Sequence, residues 1–479
     1  MQFTFSPYDY NWLAIIALSI WGWLLLNSTR PFLVSYLFGF GWFGLGSWWL
    51  ADTFHLYGGL AYPIAYGCVA LVGVVMALFP AVWGWLAVRV AGQGSDNSSW
   101  IILLFPASAV LTEWLRGHLF TGLPWTSLGN LTLDTPAASW ASVIGVYGAA
   151  AIPALIAISL AAFSHRKTGP AAMAGLLLSV ALIWFAPQPI QLEGEARTAV
   201  LIQGNIPQDV KWDRGFLEET MHRYDTLTTS AFAGSDILIW PEAAVPFFLS
   251  RAPGWDQWLK NRVTIWNRPL LFGGLKVMEE KPGEPPVAQN GLFIQQPGSS
   301  DRDFTGKHHL VPFGEYVPAW LPWLHKLVPN IADFQSAENE GVLTDGDTVF
   351  GSLICYESIF PEEARARVER GAQVLVVVTN DAWYGRSPAT WQHLQAARMR
   401  AIETGRYLLR AANTGVSAII APDGSITATA PWWTQSVVKG TYRLSDAVTP
   451  YQKWGDLPST VTACLLLLAG GLRRKYWRN

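Results

Sequence analysis

The uneven distribution of charge constrains this chain more than any other feature. Six stretches before residue 193 carry no Asp, Glu, Lys or Arg: Asn11–Thr29, Pro31–Ala51, Gly58–Val88, Ser98–Thr112, Thr135–Ser164 and Pro170–Leu192. A seventh, Leu457–Leu472, lies near the C-terminus. A helix needs about 20 apolar residues to cross the hydrocarbon core of a bilayer, so most of these stretches are long enough to span one. Ser98–Thr112 and Leu457–Leu472 are short, and snorkelling arginines, tilt or local bilayer thinning would complete them. The expectation is a membrane domain of about six helices in residues 1–192 and a last span, with a basic tail, in residues 457–479. The 26 tryptophans suit the aromatic belts of membrane interfaces.

Orientation follows from the Lys and Arg of short loops. Arg30, Arg89, the pair Arg166 and Lys167, and the tail with Arg473, Arg474, Lys475 and Arg478 all fall on one side of a seven-span count. That side is then cytoplasmic, and residues 193–456 lie on the opposite face, as does the N-terminus. Arg116 is the exception, since the same parity leaves it outside.

The whole-chain averages exclude other classes. The net charge is −2 and no basic stripe is present, so nothing points to nucleic acid. Three cysteines, Cys68, Cys355 and Cys464, offer neither a disulfide framework nor a metal-type C-x-x-C pair. Any special role for sulfur is solitary.

Residues 193–456 alternate short apolar runs with helical patterns. The candidate strands are Thr198–Gln203, Asp236–Trp240, Pro269–Leu275, Gly291–Gln295, Val349–Ile354, Gln373–Thr379, Tyr407–Ala411 and Ser417–Ala421. The clearest helical patterns are Phe216–Phe232, Glu362–Arg370 and Ala389–Thr404, and Pro422–Asp423–Gly424 reads as a hairpin turn. Strands alternating with helices argue for an α/β or layered domain.

Three stretches there place ionisable groups beside apolar runs. In ILIWPEAAVPF, Glu242 follows a strand that Pro241 breaks, and partial desolvation would tune it toward general-base duty; the plainer reading is a helix N-terminal Glu favoured by the dipole. In DFTGKHHLVPFGEYVP, Lys307 and Glu315 lie in a loop restrained by Gly306, Pro312, Gly314 and Pro318. A lysine held there can stabilise developing negative charge, or it is simply a solvated loop residue. His308 and His309 lack the further ligands a metal would need. In LICYESIF, Cys355 ends a strand before a turn and a helix near Pro361. Backbone N–H groups and the helix dipole are expected to lower its pKa there, whereas a free cysteine is otherwise most often buried filler.

A carboxylate, an ammonium and a thiol in the order Glu, Lys, Cys resemble the triad of the nitrilase, or carbon–nitrogen hydrolase, superfamily, over roughly Thr198 to Leu444. With apolar spans on both sides, the resemblance narrows to the apolipoprotein N-acyltransferase family. The strings that carry it are QGNIPQDVKW, LIWPEAAVP, GKHHLVPFGEYVP, ICYE, TNDAWYG and WQHLQAARMRAIETGR, with FSPYD and LTEWLRGHLFTGLPW upstream. It implies an αββα sandwich on the periplasmic side of the bacterial inner membrane, with Glu242 as general base, Lys307 as transition-state lysine and Cys355 as nucleophile. Trp212, Glu315, Tyr356 and Glu357 match supporting positions: Glu315 either orients or assists the base, and the Tyr356 amide joins an oxyanion hole. Asn380, Trp383 and Tyr384 line the acyl or lipid entrance, or the aromatic pair is packing.

The reaction implied takes an acyl chain from a phospholipid, typically phosphatidylethanolamine, to the α-amino group of a diacylglyceryl-cysteine at an apolipoprotein N-terminus. It needs no cofactor or metal, and a monomer is expected. Family members usually carry one more span ahead of FSPYD, which here lies almost at Met1; either the true start lies upstream, or the chain runs with seven spans and an external N-terminus. Two other readings use the same residues: a membrane-tethered amidase or nitrilase acting on a small C–N substrate, and a transporter or scaffold whose outer domain no longer catalyses.

Overall fold

Each uncharged stretch contributes helix among the described residues. The computed structural model describes residues 1–92, 99–165, 167–279, 286–318, 333–338 and 341–476; Ser98, Arg166 and Arg478 lie outside them. The helices are α1 (Asn11–Asn27), α2 (Pro31–Gly46), α3 (Leu50–Leu56), α4 (Tyr62–Met76), α5 (Leu78–Ala91), α6 (Ile101–His118), α7 (Ala141–Ala149), α8 (Ala151–Phe163) and α9 (Gly169–Trp184). Pro31 and Pro170 sit in the first turns of α2 and α9, where a missing N–H costs nothing. α4 and α5 run on as one 30-residue helix, Tyr62–Ala91, which is long and apolar enough to cross a membrane alone. The segment ending in α7 meets α8 at a 65° bend. α1, α2 and α9 are apolar helices of 16 or 17 residues, about 25 Å long.

Inside the bundle, Trp21 meets Trp83 edge-on at 4.6 Å and Phe105 at 5.2 Å, and Trp83 donates its indole N–H to the Phe105 carbonyl. On the outside, Trp12, Ile16, Ile20, Leu37, Leu71, Leu177, Leu465 and Leu468 are exposed. A helix that is apolar on its outer as well as its inner face is ill suited to water.

The helix ends sort into two groups. Asn11 at the start of α1 donates to the Leu131 carbonyl, near the Asp134–Arg398 ion pair that joins the bundle to the following domain. Asn27, at the other end of α1, meets His165 at 3.4 Å. The Arg474 guanidinium donates to the Arg89 carbonyl. The Asn27–His165 contact brings the neighbourhoods of Arg30 and Lys167 together, and the Arg474–Arg89 bond those of Arg89 and residues 473–475.

Those residues build four layers. One sheet contains β1 (Arg197–Gln203), β2 (Ile237–Ile239), β3 (Val245–Phe248), β4 (Leu270–Glu279), β5 (Val287–Gln295) and β6 (Arg302–Gly306). The other contains β7 (Val342–Asp345), β8 (Thr348–Ile354), β9 (Val374–Thr379), β10 (Leu408–Ala412), β11 (Ala418–Ile420) and β12 (Ile426–Thr429); β13 (Ser436–Tyr442) returns to pair with β1. The first sheet runs β13-β1-β2-β4-β5-β6 with β3 on β4, and the second β12-β11-β10-β9-β8-β7. Leu201, Ile239, Leu271 and Ile294 of one sheet pack against Phe350, Val376, Val378 and Leu409 of the other. α10 (Leu217–Thr229) and α11 (Pro253–Trp266) cover the first sheet, while α12 (Pro361–Glu369) and α13 (Ala389–Thr404) cover the second. This is the expected αββα sandwich. α14 (Pro450–Trp454) leads into α15 (Leu457–Tyr476), which returns to the bundle beside α6.

Arg116, the exception to the loop-charge rule, is a packing residue of α6. It is 1% exposed, pairs with both oxygens of Glu113, donates to the Leu123 and Trp125 carbonyls and lies over the Phe43 ring. Glu113 also accepts from Ser127 Oγ and the Leu128 N–H. The pair thus clamps the 123–128 turn against the bundle. Arg116→Leu would strand a buried carboxylate, and the expected cost of about 3–5 kcal/mol is read as earlier unfolding in a denaturant titration; unchanged unfolding would contradict the clamp.

Candidate active site

The carboxyl ends of β1, β2, β8, β9 and β10 meet at one edge of the sandwich, the place where α/β folds bind ligands. Each candidate side chain stands on a loop leaving that edge or on the loop after β6. The edge abuts the helix bundle: Tyr356 Oη donates to the Gly122 carbonyl at 3.1 Å, Tyr57 Oη to Ala382 at 3.1 Å, Thr53 Oγ to Trp383 at 2.9 Å and Trp125 Nε1 to Gln392 at 2.7 Å.

Glu242 follows β2 and is 6% exposed. Asn290 Nδ2 donates to its Oε1 at 2.8 Å, and the Asn380 N–H to its Oε2 at 2.9 Å. No helix starts at Glu242, so the helix-terminal alternative falls away: Ala243 turns the chain with φ +46° into β3. β4 crosses so closely that a Cβ at Gly273 would stand 2.6 Å from the Glu242 Cα, and only glycine fits.

Lys307 is 1% exposed rather than solvated. Its Nζ lies 2.8 and 2.7 Å from the two Glu315 oxygens and 4.0 Å from Glu242 Oε1. Burial alone would lower its pKa, but the Glu315 and Glu242 carboxylates outweigh that and hold the ammonium above the ordinary lysine value. The Lys307 N–H donates to Asn290 O at 2.7 Å, so the residue that binds Glu242 also fixes the lysine's backbone.

Cys355 ends β8 with φ +53°, a left-handed conformation that costs a non-glycine residue about 1–3 kcal/mol. The chain therefore makes a sharp elbow where the strand ends. The expected drop in thiol pKa is contradicted, however. Burial and the neighbouring Glu242 push the thiol up, against a downward pull from Lys307. The physical reason is that Cys355 is only 6% exposed and is followed by a five-residue 3-10 turn, Cys355–Ile359, with α12 starting later at Pro361.

The supporting residues divide by what they touch. Glu357, fully buried, accepts from the Ile354, His308 and His309 N–H groups at 2.6, 2.8 and 3.1 Å, tying the elbow to the Lys307 loop. His308 and His309 turn their Nδ1 atoms to Glu363, at 2.9 and 3.7 Å. Tyr356 packs on Phe360 and reaches the bundle through its hydroxyl. Asn380 holds Glu242 through its N–H, while its side chain bonds Gln208 and Asn413. Tyr384 lies among Trp49, Trp125 and His393, and Trp383 is a more exposed ring against Tyr57. Trp212 is 47% exposed.

Next to Trp212, Lys211 is the residue that sequence reasoning passed over. It is 3% exposed, donates to the Glu242 carbonyl at 3.0 Å, and has its pKa lowered to about 8 by burial, against the pull of Glu242 and Cys355. Its presence in the QDVKW string beside a motif tryptophan was the available signal. Asn290, which donates to Glu242, and Asn413, which donates to the Asn380 side chain, are both buried and had no local signal at all.

A cysteine elbow, a buried carboxylate and a buried lysine at one edge of an αββα sandwich define a protein of the carbon–nitrogen hydrolase class, and the carbon-nitrogen hydrolase family matches residues 198–449. The apolipoprotein N-acyltransferase N-terminal domain family matches residues 1–159. The apolipoprotein N-acyltransferase of Methylococcus capsulatus is 37% identical, over 96% of this chain and 91% of its own length. Those of Geobacter metallireducens and Shewanella oneidensis are each 34% identical, over 89% and 98% of this chain and 84% and 93% of their own. The chain belongs to the apolipoprotein N-acyltransferase family. A solved Nesterenkonia amidase is far more distant, at 17% identity and TM-score 0.40 over 54% of this chain and 93% of its own.

An ordinary thiol titrates at about 8.5, and the Cys355 environment moves it higher. Alkylation by iodoacetamide should therefore be slow at neutral pH and still climbing above about pH 9. A rate that levels off near neutrality would mean a preformed thiolate and contradict this electrostatic picture.

Proposed function

We propose that this chain moves a fatty acyl group from a phospholipid to the α-amino group of the N-terminal diacylglyceryl-cysteine of apolipoproteins, through a thioester on Cys355. What carries the reading is the placement of the Cys355 elbow against an apolar bundle, in a chain similar to apolipoprotein N-acyltransferases along both halves. The amidase reading has no such support in the bundle half.

In the first stage Glu242 takes the Cys355 proton as Sγ attacks the ester carbonyl. Lys307 and backbone N–H groups of the elbow, that of Tyr356 among them, hold the oxyanion. The carbon–oxygen bond breaks, the lysophospholipid oxygen receives the proton from Glu242, and the acyl group stays on sulfur. In the second stage the acceptor amine attacks the thioester, Glu242 takes its proton, the carbon–sulfur bond breaks, and the proton passes to Sγ. A raised thiol pKa suits this sequence, because the base acts only when an ester is in place and a resting thiolate is not exposed to oxidants.

In the same reading, Glu315 orients Lys307, Glu357 holds the lysine loop to the elbow, and Tyr356 anchors the elbow to the bundle. Trp383 and Tyr384, with Trp49, Trp125 and Tyr57, line the approach from the bilayer, and Trp212 lies at the outer side of the site. The bundle, residues 1–192 with 457–479, spans the bacterial inner membrane. Its outward leucines and aromatic rings face lipid, the basic helix ends face the cytoplasm, and the sandwich, residues 193–456, stands on the periplasmic face.

Mass analysis of the intact protein after exposure to phosphatidylethanolamine should show one added acyl group, removable by hydroxylamine and located on Cys355. Cys355→Ala should show none while keeping its membrane insertion. Acylation that persists in Cys355→Ala would defeat the assignment.

A further inference from the structure

Directly beneath the elbow lies a set of buried polar side chains that the steps above do not use. His393, on α13, is fully buried. Its Nε2 stands 3.0 Å from the Cys355 carbonyl oxygen and 2.8 Å from Ser358 Oγ, and its Nδ1 stands 3.0 Å from Asp381 Oδ1. Asp381 accepts from the Thr379 hydroxyl at 2.8 Å and, on its other oxygen, from the Arg410 guanidinium at 2.8 Å. Arg410 NH2 is also 3.2 Å from His393 Nδ1. The residue before Asp381 is Asn380, whose N–H holds Glu242. A continuous set of contacts thus joins the base to the nucleophile's backbone without passing through a reacting atom.

A carbonyl oxygen only accepts, so the imidazole proton facing Cys355 belongs to Nε2. Ser358 Oγ donates to the same carbonyl at 2.9 Å, giving it two donors. Cys355 needs them, because its φ of +53° persists only if the surroundings over-determine the turn. In that neutral tautomer Nδ1 is the acceptor, met by Arg410; burial would raise the Asp381 carboxyl, but Arg410 outweighs it and pulls it down to about 2, so Asp381 stays ionised and holds the guanidinium against the histidine ring.

We propose that His393 is the positioning residue of the Cys355 elbow: its Nε2–H holds the Cys355 carbonyl and so the turn that aims Sγ, while Asp381 and Arg410 fix its ring. This rests on Cys355 being the acylated residue. The competing role is plain space filling beside Trp125 and Tyr384, whose rings lie 5.8 and 6.0 Å away.

Three variants separate the two roles. His393→Gln puts an amide donor near the Nε2 position, His393→Asn puts one near Nδ1, and His393→Leu removes both. The measurement is single-turnover acylation of the full-length protein by phosphatidylethanolamine in detergent, followed by mass, beside thermal unfolding of each variant. The expected result is that Gln keeps most of the maximal acylation rate, while Asn and Leu lose about 100-fold with the half-saturating phospholipid concentration unchanged. Asn matching Gln, Leu acylating at the wild-type rate, or rates that simply follow thermal stability would overturn the proposal. If Leu fails to fold, the Gln and Asn pair decides. A wild-type protein that forms no adduct would instead refute the thioester reading itself.

Discussion

The contact between Lys307 and Glu315 is the one on which the site depends. An ammonium as buried as Lys307 is tolerated only when its charge is met at hydrogen-bond range, and Glu315 meets it at 2.7 and 2.8 Å. Glu242 Oε1 stands 4.0 Å from the same ammonium, close enough to feel the cation. Replacing such a cluster with apolar side chains is often neutral or stabilising for a fold, so its presence argues for chemistry rather than stability. The raised pKa of Cys355 follows from the same arrangement: burial and the neighbouring Glu242 outweigh the downward pull of Lys307.

The second constraint is position. The carboxyl ends of the parallel strands face the bundle, and the bonds from Tyr57, Thr53, Gly122 and Trp125 tie the elbow, the Asn380 loop and α13 to it. Substrates held in the bilayer would reach Cys355 without crossing water, and proximity of that kind is worth several kcal/mol of barrier. A thioester suits the relay because it reacts readily with amines and only slowly with water.

Much of this was legible in the sequence, for identifiable reasons. Strands such as β1 and β9 are buried along most of their length and read as continuous apolar runs, and α13 and α12 showed their helical spacing. β6 and β12 escaped because Arg302, Asp303 and the exposed Ile426–Thr429 look like loop, and β3 because Pro246 interrupts it. α11, with its mixed PGWDQWLKNRVTIW, has too broken a pattern to stand out. At the site, Glu242, Lys307 and Cys355 stand out by order and by strand-end position. The direction of the Cys355 shift did not, because a helix start is visible in sequence and burial against Glu242, far away along the chain, is not. His393 was hidden for the same reason: its contact with Cys355 bridges 38 residues.

The central claim is that Cys355 carries the acyl group between two substrates. Its most direct test is to load the protein with a labelled acyl chain from phosphatidylethanolamine, remove all phospholipid, and add a diacylglyceryl-cysteine peptide. The account predicts that the label moves to the peptide's α-amine as an amide while Cys355 returns to a free thiol. Label that leaves only as free fatty acid, or a peptide acylated only while phospholipid is present, would contradict it.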